Sequence, residues 1–378
     1  MADALNSAIY GAKRSAIREY SRLAAQTPGC VALTLGEPDF DTPQPVEAAV
    51  ADAFFNHETH YIQNNGSPAL RETIAAFEHE RNGMDYSADE VIVTAGATEA
   101  LFVALFGILN PGDEVIVPTP AFVLYEEIIG LCRGKFVPLD TRADAFQIDG
   151  AKLRAAITPR TKAIILNSPN NPTGCIYTPE SLAAIRDAVA GQGIFVICDD
   201  VYRQLIYTSE YHSFAEFRDL REQLLVVQSF SKPYAMTGWR VGYLLADAAV
   251  KERLELLHQF MVVSAPAPFQ RACVTALGQS VEPMLAVYRK RREYILSRLR
   301  AMELDVAEPL GAFYVFPSIA KFGLPSAEFC RRMIREVGLA ATPGDCFGAE
   351  GYIRLTYCYG DDALKTGLDR LEQFCATL

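Results

Sequence analysis

Leu224-Leu225-Val226-Val227-Gln228-Ser229-Phe230-Ser231-Lys232 begins as an unbroken apolar run and ends in hydroxyls and a lysine. A strand with no alternating polar face is covered on both sides, as in a parallel sheet sandwiched between helices. Ligands of such sheets bind just beyond the carboxyl ends of the strands, so the polar residues there carry the chemistry. Five further stretches share this character: Val91 to Thr94, Glu114 to Val117, Ala163 to Asn167, Ile194 to Cys198 and Val241 to Leu245. Helix-like segments separate them. Glu180 to Ala190, with Leu182, Ile185 and Val189 on one stripe, is an expected crossover helix. The fold class is α/β, a mostly parallel sheet covered by helices.

The chain has 378 residues, half of them hydrophobic, which is more than one ordinary domain and excludes disorder as the main state. Its 35 Lys+Arg against 46 Asp+Glu give a formal charge of -11, and no strong basic patch interrupts that balance. Nucleic acids and anionic membranes are poor partners for such a surface. The nine cysteines are scattered without a C-x-x-C pair and read as reduced thiols of a cytoplasmic protein. Met1 to Arg14 lack the apolar block of an export signal, and the apolar stretch Ala100 to Leu109 is too short to span a bilayer. Of the five histidines, only His57 and His60 form an H-x-x-H pair; without a cysteine partner or an H-E-x-x-H helix, the histidines read as surface loop residues and no metal is expected. After about Ala276 a charge-rich helical stretch begins. Its run Arg289-Lys290-Arg291-Arg292-Glu293 reads as a solvated helix face, not a specificity pocket. This C-terminal third, joined by the first forty or so residues, is expected to form a smaller domain.

Four strand ends carry unusual residues. Ala95-Gly96-Ala97-Thr98 is a small-residue turn opening a helix, a geometry that presents backbone N–H groups to an anion. Asn167 to Gly174 has the Asn-Pro and Thr-Gly steps of a tight loop. Asp199-Asp200-Val201-Tyr202 places a carboxylate at the mouth of a buried strand, where it needs a cationic partner such as a protonated ring nitrogen. The fourth end supplies Lys232, whose ammonium can be desolvated there and so prepared for Schiff-base chemistry, and Arg240, a fixed positive charge for a phosphate. Each feature alone has an ordinary structural explanation. Together they offer a phosphate cradle (Gly96, Ala97, Thr98, Ser229, Arg240), an imine-forming amine and a carboxylate for a pyridinium, the three needs of pyridoxal phosphate.

The chain resembles the class I/II aminotransferases, the fold-type I pyridoxal-phosphate enzymes related to aspartate aminotransferase. The resemblance runs through Leu35-Gly36-Glu37-Pro38-Asp39-Phe40, Tyr61 ahead of Gly66 to Arg71, Thr94 to Ala100, and Asn110-Pro111-Gly112-Asp113. It continues through Asn171-Pro172-Thr173-Gly174, Asp199 to Tyr202, Ser229 to Arg240, Gly311-Ala312-Phe313-Tyr314, Pro343-Gly344-Asp345 and Ile353-Arg354-Leu355. It implies a large domain with a mostly parallel seven-stranded sheet (residues 46–283) and a smaller α/β domain built from both termini (residues 1–45 and 284–378).

Residue by residue, the resemblance implies that Lys232 holds the cofactor and that Asp199 keeps its pyridine nitrogen protonated. Asn171 and Tyr202 match donors to the ring hydroxyl oxygen, and Ala97, Thr98, Ser229 and Arg240 match phosphate contacts, with Gly96 shaping the turn. Tyr61 matches a tyrosine that reaches the phosphate of a neighbouring subunit, so the expected assembly is a homodimer. Phe122 matches the aromatic residue stacked on the ring, where Tyr or Trp is commoner; Asp200 stands where glutamate is frequent. Gly36, Asn171 and Arg354 match the substrate site, with Arg354 clamping the α-carboxylate. The implied activity moves an amino group from an L-amino acid to a 2-oxo acid by a ping-pong mechanism, with Lys232, Asp199 and Tyr202 as catalytic residues, in the biosynthesis and metabolism of amino acids. A carbon–sulfur β-lyase uses the same fold and lysine and is the first alternative. A non-catalytic pyridoxal-phosphate-binding regulatory module is the second, and the aminotransferase-like part starts almost at Met1, leaving no room for its basic DNA-binding segment.

Overall fold

The computed structural model describes residues 5–378. At its centre seven strands form one sheet: β2 (Val91–Thr94), β3 (Glu114–Thr119), β4 (Lys135–Asp140), β5 (Thr161–Asn167), β6 (Phe195–Asp199), β7 (Leu224–Ser229) and β8 (Gly242–Ala246). Their order is β2-β8-β7-β6-β5-β3-β4; β8 is antiparallel to both neighbours and every other pairing is parallel. Six of the seven correspond to the apolar runs expected from sequence. β4 was not expected, because it is an edge strand with Lys135, Pro138 and Asp140 exposed. An edge position tolerates the proline, since one side of the strand has no neighbour to receive an N–H.

Alternate residues of each strand feed two cores. One face packs Ile92, Val115, Ile165, Ile197 and Val227 with the helix Ala97–Ile108. The other packs Val93, Ile116, Ile164, Val196 and Val226 with the helices Pro68–Asn82, Pro179–Val189 and Ala267–Leu277. Both faces are dry, which is why the strands lack polar alternation.

A further core joins the two ends of the chain. β1 (Val31–Ala32) pairs in parallel with β10 (Leu339–Ala340), while β9 (Tyr314–Val315), β11 (Thr342–Pro343) and β12 (Ile353–Thr356) form an antiparallel sheet in the order β11-β12-β9. Tyr20 and Ala24 of the helix Ala16–Gln26 are buried with Leu33, Phe329 and Leu368. The first four residues of the N-terminal segment lie outside the described residues.

Two expectations need correction. Arg291 does not sit on a solvated face: it is 9% exposed and pairs with Asp39 at 2.7 Å and Asp361 at 2.8 Å. The Gly-Glu-Pro-Asp segment brings Asp39 against the inner side of the helix Glu282–Ala301, which charge patterning alone does not reveal. His258 is not a surface loop residue either. It is fully buried in the helix Ala248–Val262, with Nδ1 2.7 Å from the Glu99 carboxylate and Nε2 2.8 Å from the Asn64 carbonyl oxygen. His57 and His60 are exposed. All nine cysteines are free. Among the described residues, no helix is long and apolar enough to cross a membrane and no cluster of His, Cys, Asp or Glu could hold a metal ion.

Candidate active site

The sheet registers bring the strand ends together. Asn167 lies opposite Asp199 across β5 and β6, and Ser229 lies opposite Gly242 across β7 and β8. The result is a cleft of about 250 Å³ whose floor carries Asn167, Asn171, Asp199, Tyr202, Ser229 and Lys232. Ala97, Thr98, Phe122 and Arg240 also line it, and Gly36 and Arg354 reach it from the smaller region. Of the sequence candidates only Gly96 and Tyr61 are not among its walls. Gly96 acts one step behind: it is the N-cap of the helix Ala97–Ile108, with φ of 85°, and no side chain caps that end. A Cβ at position 96 would stand 2.5 Å from Arg240 Nη2, so glycine is what allows the guanidinium to lie against the open amides. Thr94 pairs with Gly242, which fixes Gly96 and Arg240 side by side although 144 residues separate them in sequence (240 minus 96).

Asp199 is 3% exposed. Its Oδ2 accepts from the Tyr125 hydroxyl at 2.5 Å, and its Oδ1 has no partner among the described residues. Burial pushes its carboxyl up to about 6, against the Tyr125 bond that holds it down. A buried carboxylate oxygen facing a cleft without a donor is costly unless a cation arrives there, and a pyridinium N–H would supply both charge and hydrogen. Lys232 donates to the Gly36 carbonyl at 2.6 Å, and burial pushes its amine down to about 8, so the neutral nucleophile is accessible near neutral pH. Arg354, 1% exposed, donates from Nη1 to Asn171 Oδ1 at 2.7 Å and from Nη2 to the Thr34 carbonyl; its Nε has no partner among the described residues. Arg354 lines the cleft, and a guanidinium there suits a carboxylate. Amine, free carboxylate oxygen, helix terminus beside an arginine, and a second arginine all fit pyridoxal phosphate and an amino acid.

Sequence reading missed several wall residues. Tyr125 and Asn167 both serve Asp199, Asn167 by donating to its carbonyl at 2.8 Å. Tyr314 meets the Tyr202 hydroxyl at 2.7 Å. Ser15, Ile17, Arg18 and Leu35 close the cleft from the N-terminal segment. Asn167 was visible as the polar end of its strand; Tyr125 and Tyr314 reach their partners from distant parts of the chain, where spacing carries no signal. Arg289 and Arg292 lie outside the cleft, paired with Glu282 and Glu308. Tyr61 is 90% exposed beside the groove formed by Phe54 and Ser264 to Phe269.

Comparison with known proteins identifies the family. The sequence model of the family "Aminotransferase class I and II" matches residues 28–371. The chain is a class I and II aminotransferase. A probable N-acetyl-LL-diaminopimelate aminotransferase of Bacillus subtilis is 39% identical over 95% of this aminotransferase and 93% of that protein. The aspartate aminotransferase of Pyrococcus abyssi is 36% identical, with 95% of each chain covered. Among solved structures, the Thermus thermophilus aspartate aminotransferase with maleate superposes with a TM-score of 0.94 at 34% identity, covering 98% of this chain and 99% of that one. The aminotransferase has the α/β fold of aspartate aminotransferase, depends on pyridoxal phosphate, and transfers amino groups between amino and oxo acids.

Proposed function

We propose that the aminotransferase moves an amino group from an L-amino acid to a 2-oxo acid in two half-reactions, with Lys232, Asp199 and Tyr202 as its catalytic residues. The observation that carries this reading is the meeting of an amine (Lys232), a carboxylate with an unpartnered oxygen (Asp199) and a guanidinium (Arg354) in the lining of one cleft. When bound, pyridoxal phosphate supplies a carbonyl that condenses with amines and a ring that accepts electrons. Asp199 Oδ1 would hold the ring nitrogen in its protonated form. Asn171 and Tyr202 would donate to the ring oxygen, and Phe122 would cover the ring face. Ala97, Thr98, Ser229 and Arg240 would grip the phosphate, with Gly96 keeping the turn open. Arg354, Asn171 and the Gly36 backbone would fix the substrate α-carboxylate, which holds the Cα–H bond toward Lys232. Lys232 Nζ, neutral once released, takes the proton from Cα.

We extend the proposal to a homodimer in which Tyr61 contributes to the partner's phosphate site. Tyr61, Phe55 and Phe260 are 83–90% exposed, and a second copy would cover such apolar surface. A large domain of residues 46–283, a small domain of 1–45 and 284–378, a cytoplasmic location supported by nine free thiols, and a role in amino-acid biosynthesis complete the reading.

Steady-state kinetics with a panel of amino donors and 2-oxoglutarate tests it. Parallel double-reciprocal lines are expected for the true donor, and intersecting lines would exclude two separate half-reactions. K232A should lose turnover while retaining part of its cofactor through the phosphate contacts; full activity would remove Lys232 from the mechanism.

A further inference from the structure

Tyr314 belongs to β9, far in sequence from every residue the proposed chemistry uses, yet it touches three of them. Its hydroxyl is 2.7 Å from that of Tyr202, and the two rings meet edge to face at 5.6 Å. The Arg354 guanidinium lies over its ring at 4.6 Å. A Cβ on Gly36 would fall 1.8 Å from its hydroxyl, so the hydroxyl occupies space that only a glycine leaves open. Tyr202 is 4% exposed and Tyr314 2%, so water does not compete for either hydroxyl to any large extent.

Proton counting decides what this pair does. A phenol has one proton to give. If Tyr202 gave its proton to Tyr314, none would remain for the ring oxygen of the cofactor. If Tyr314 is the donor, the Tyr202 proton is free to point into the cleft, and accepting a bond makes Tyr202 a better donor. Burial pushes both phenols above their ordinary range, Tyr314 to about 12 with Arg354 opposing, and Tyr202 further, so both keep their protons at neutral pH.

We infer that Tyr314 is a positioning residue that donates to the Tyr202 hydroxyl and thereby turns the Tyr202 proton toward the cofactor's ring oxygen. Its contacts with Arg354 and Gly36 tie that bond to the place where the substrate carboxylate binds. The inference rests on the ring-oxygen role proposed above for Tyr202.

The test is the pH titration of the visible absorbance of the purified holoenzyme, measured without substrate. Donation to the ring oxygen favours its anionic form and so lowers the midpoint of that titration. Y314F should raise the midpoint by about half a unit to one unit, a threefold to tenfold change in proton affinity. Y202F should raise it at least as far, and Y202F/Y314F no further than Y202F alone, because Tyr314 acts only through Tyr202. A Y314F midpoint unchanged to within about 0.2 unit, including one accompanied by a lower melting temperature, would show a packing role and overturn the inference. Full additivity in the double variant would overturn it as well. Failure of the underlying reading looks different: wild-type protein that stays colourless with pyridoxal phosphate overturns both.

Discussion

Asp199 and Asp200 adjoin at the end of β6, are equally buried at 3% exposure, and are both pushed up to about 6 by burial. Their surroundings differ. Asp200 turns inward, where the Ser213 hydroxyl donates to it at 2.6 Å and Arg203 at 3.2 Å. Arg203 in turn donates to Glu78 at 2.6 and 2.7 Å, and Glu78 also accepts from Tyr243 at 2.5 Å. Asp199 turns toward the cleft with one oxygen satisfied by Tyr125 and the other left open. A structural charge needs its counter-ion already in place, as Asp200 has in Arg203 although Arg203 Nε itself finds no partner among the described residues, and a reserved oxygen is what a cation-binding charge requires. Burial alone does not distinguish the two; the accounting of donors does.

The contrast can be broken experimentally in three ways. The largest effect is expected on the inner side: D200A leaves the Ser213 hydroxyl and one arm of Arg203 without their partner and should lower stability by about 3 kcal/mol in urea unfolding. Comparable stability of D200A and wild type would mean that the inner network is dispensable. On the cleft side, D199A should fold, since it removes a poorly satisfied group, yet lose about 100-fold in turnover, near 2.7 kcal/mol of transition-state stabilisation. Turnover within a few-fold of wild type would deny Asp199 its role.

The smallest effect is in pH dependence. A carboxyl whose pKa is raised on folding binds its proton more tightly in the folded chain. Its contribution is therefore complete below about pH 4 and lost as the pH rises through about 6. The melting temperature of cofactor-free protein should fall across that window. In D200N, where only Asp199 remains of the pair, adding pyridoxal phosphate should remove the residual slope, because a cationic ring favours the ionised carboxylate. In D199N the cofactor should leave the Asp200 slope in place. Identical slopes with and without cofactor in both variants would erase the distinction.

Much of this was legible in the sequence, for a physical reason. Strands buried on both faces are unbroken apolar runs, so their ends, and with them Asp199, Ser229 and Lys232, stand out by contrast. β4 escaped because an edge strand with Pro138 carries no such run. Arg291 escaped because its two acidic partners come from residues 39 and 361. The resemblance to a known family located Arg354 and Gly36, which no periodicity marks. Tyr125 and Tyr314 matter through contacts made by tertiary packing, and a side chain that serves another side chain leaves no trace in spacing.

The antiparallel strand β8 has one more consequence. By slotting between β2 and β7 it sets Arg240 against Gly96, so the anion grip exists only when the first and last strands of the sheet are neighbours. A chain emerging from the ribosome has made residues 91–98 long before it makes 240–246. Until then it owns half a grip. The two halves of the grip therefore belong to strands that are neighbours in the sheet and remote in the chain.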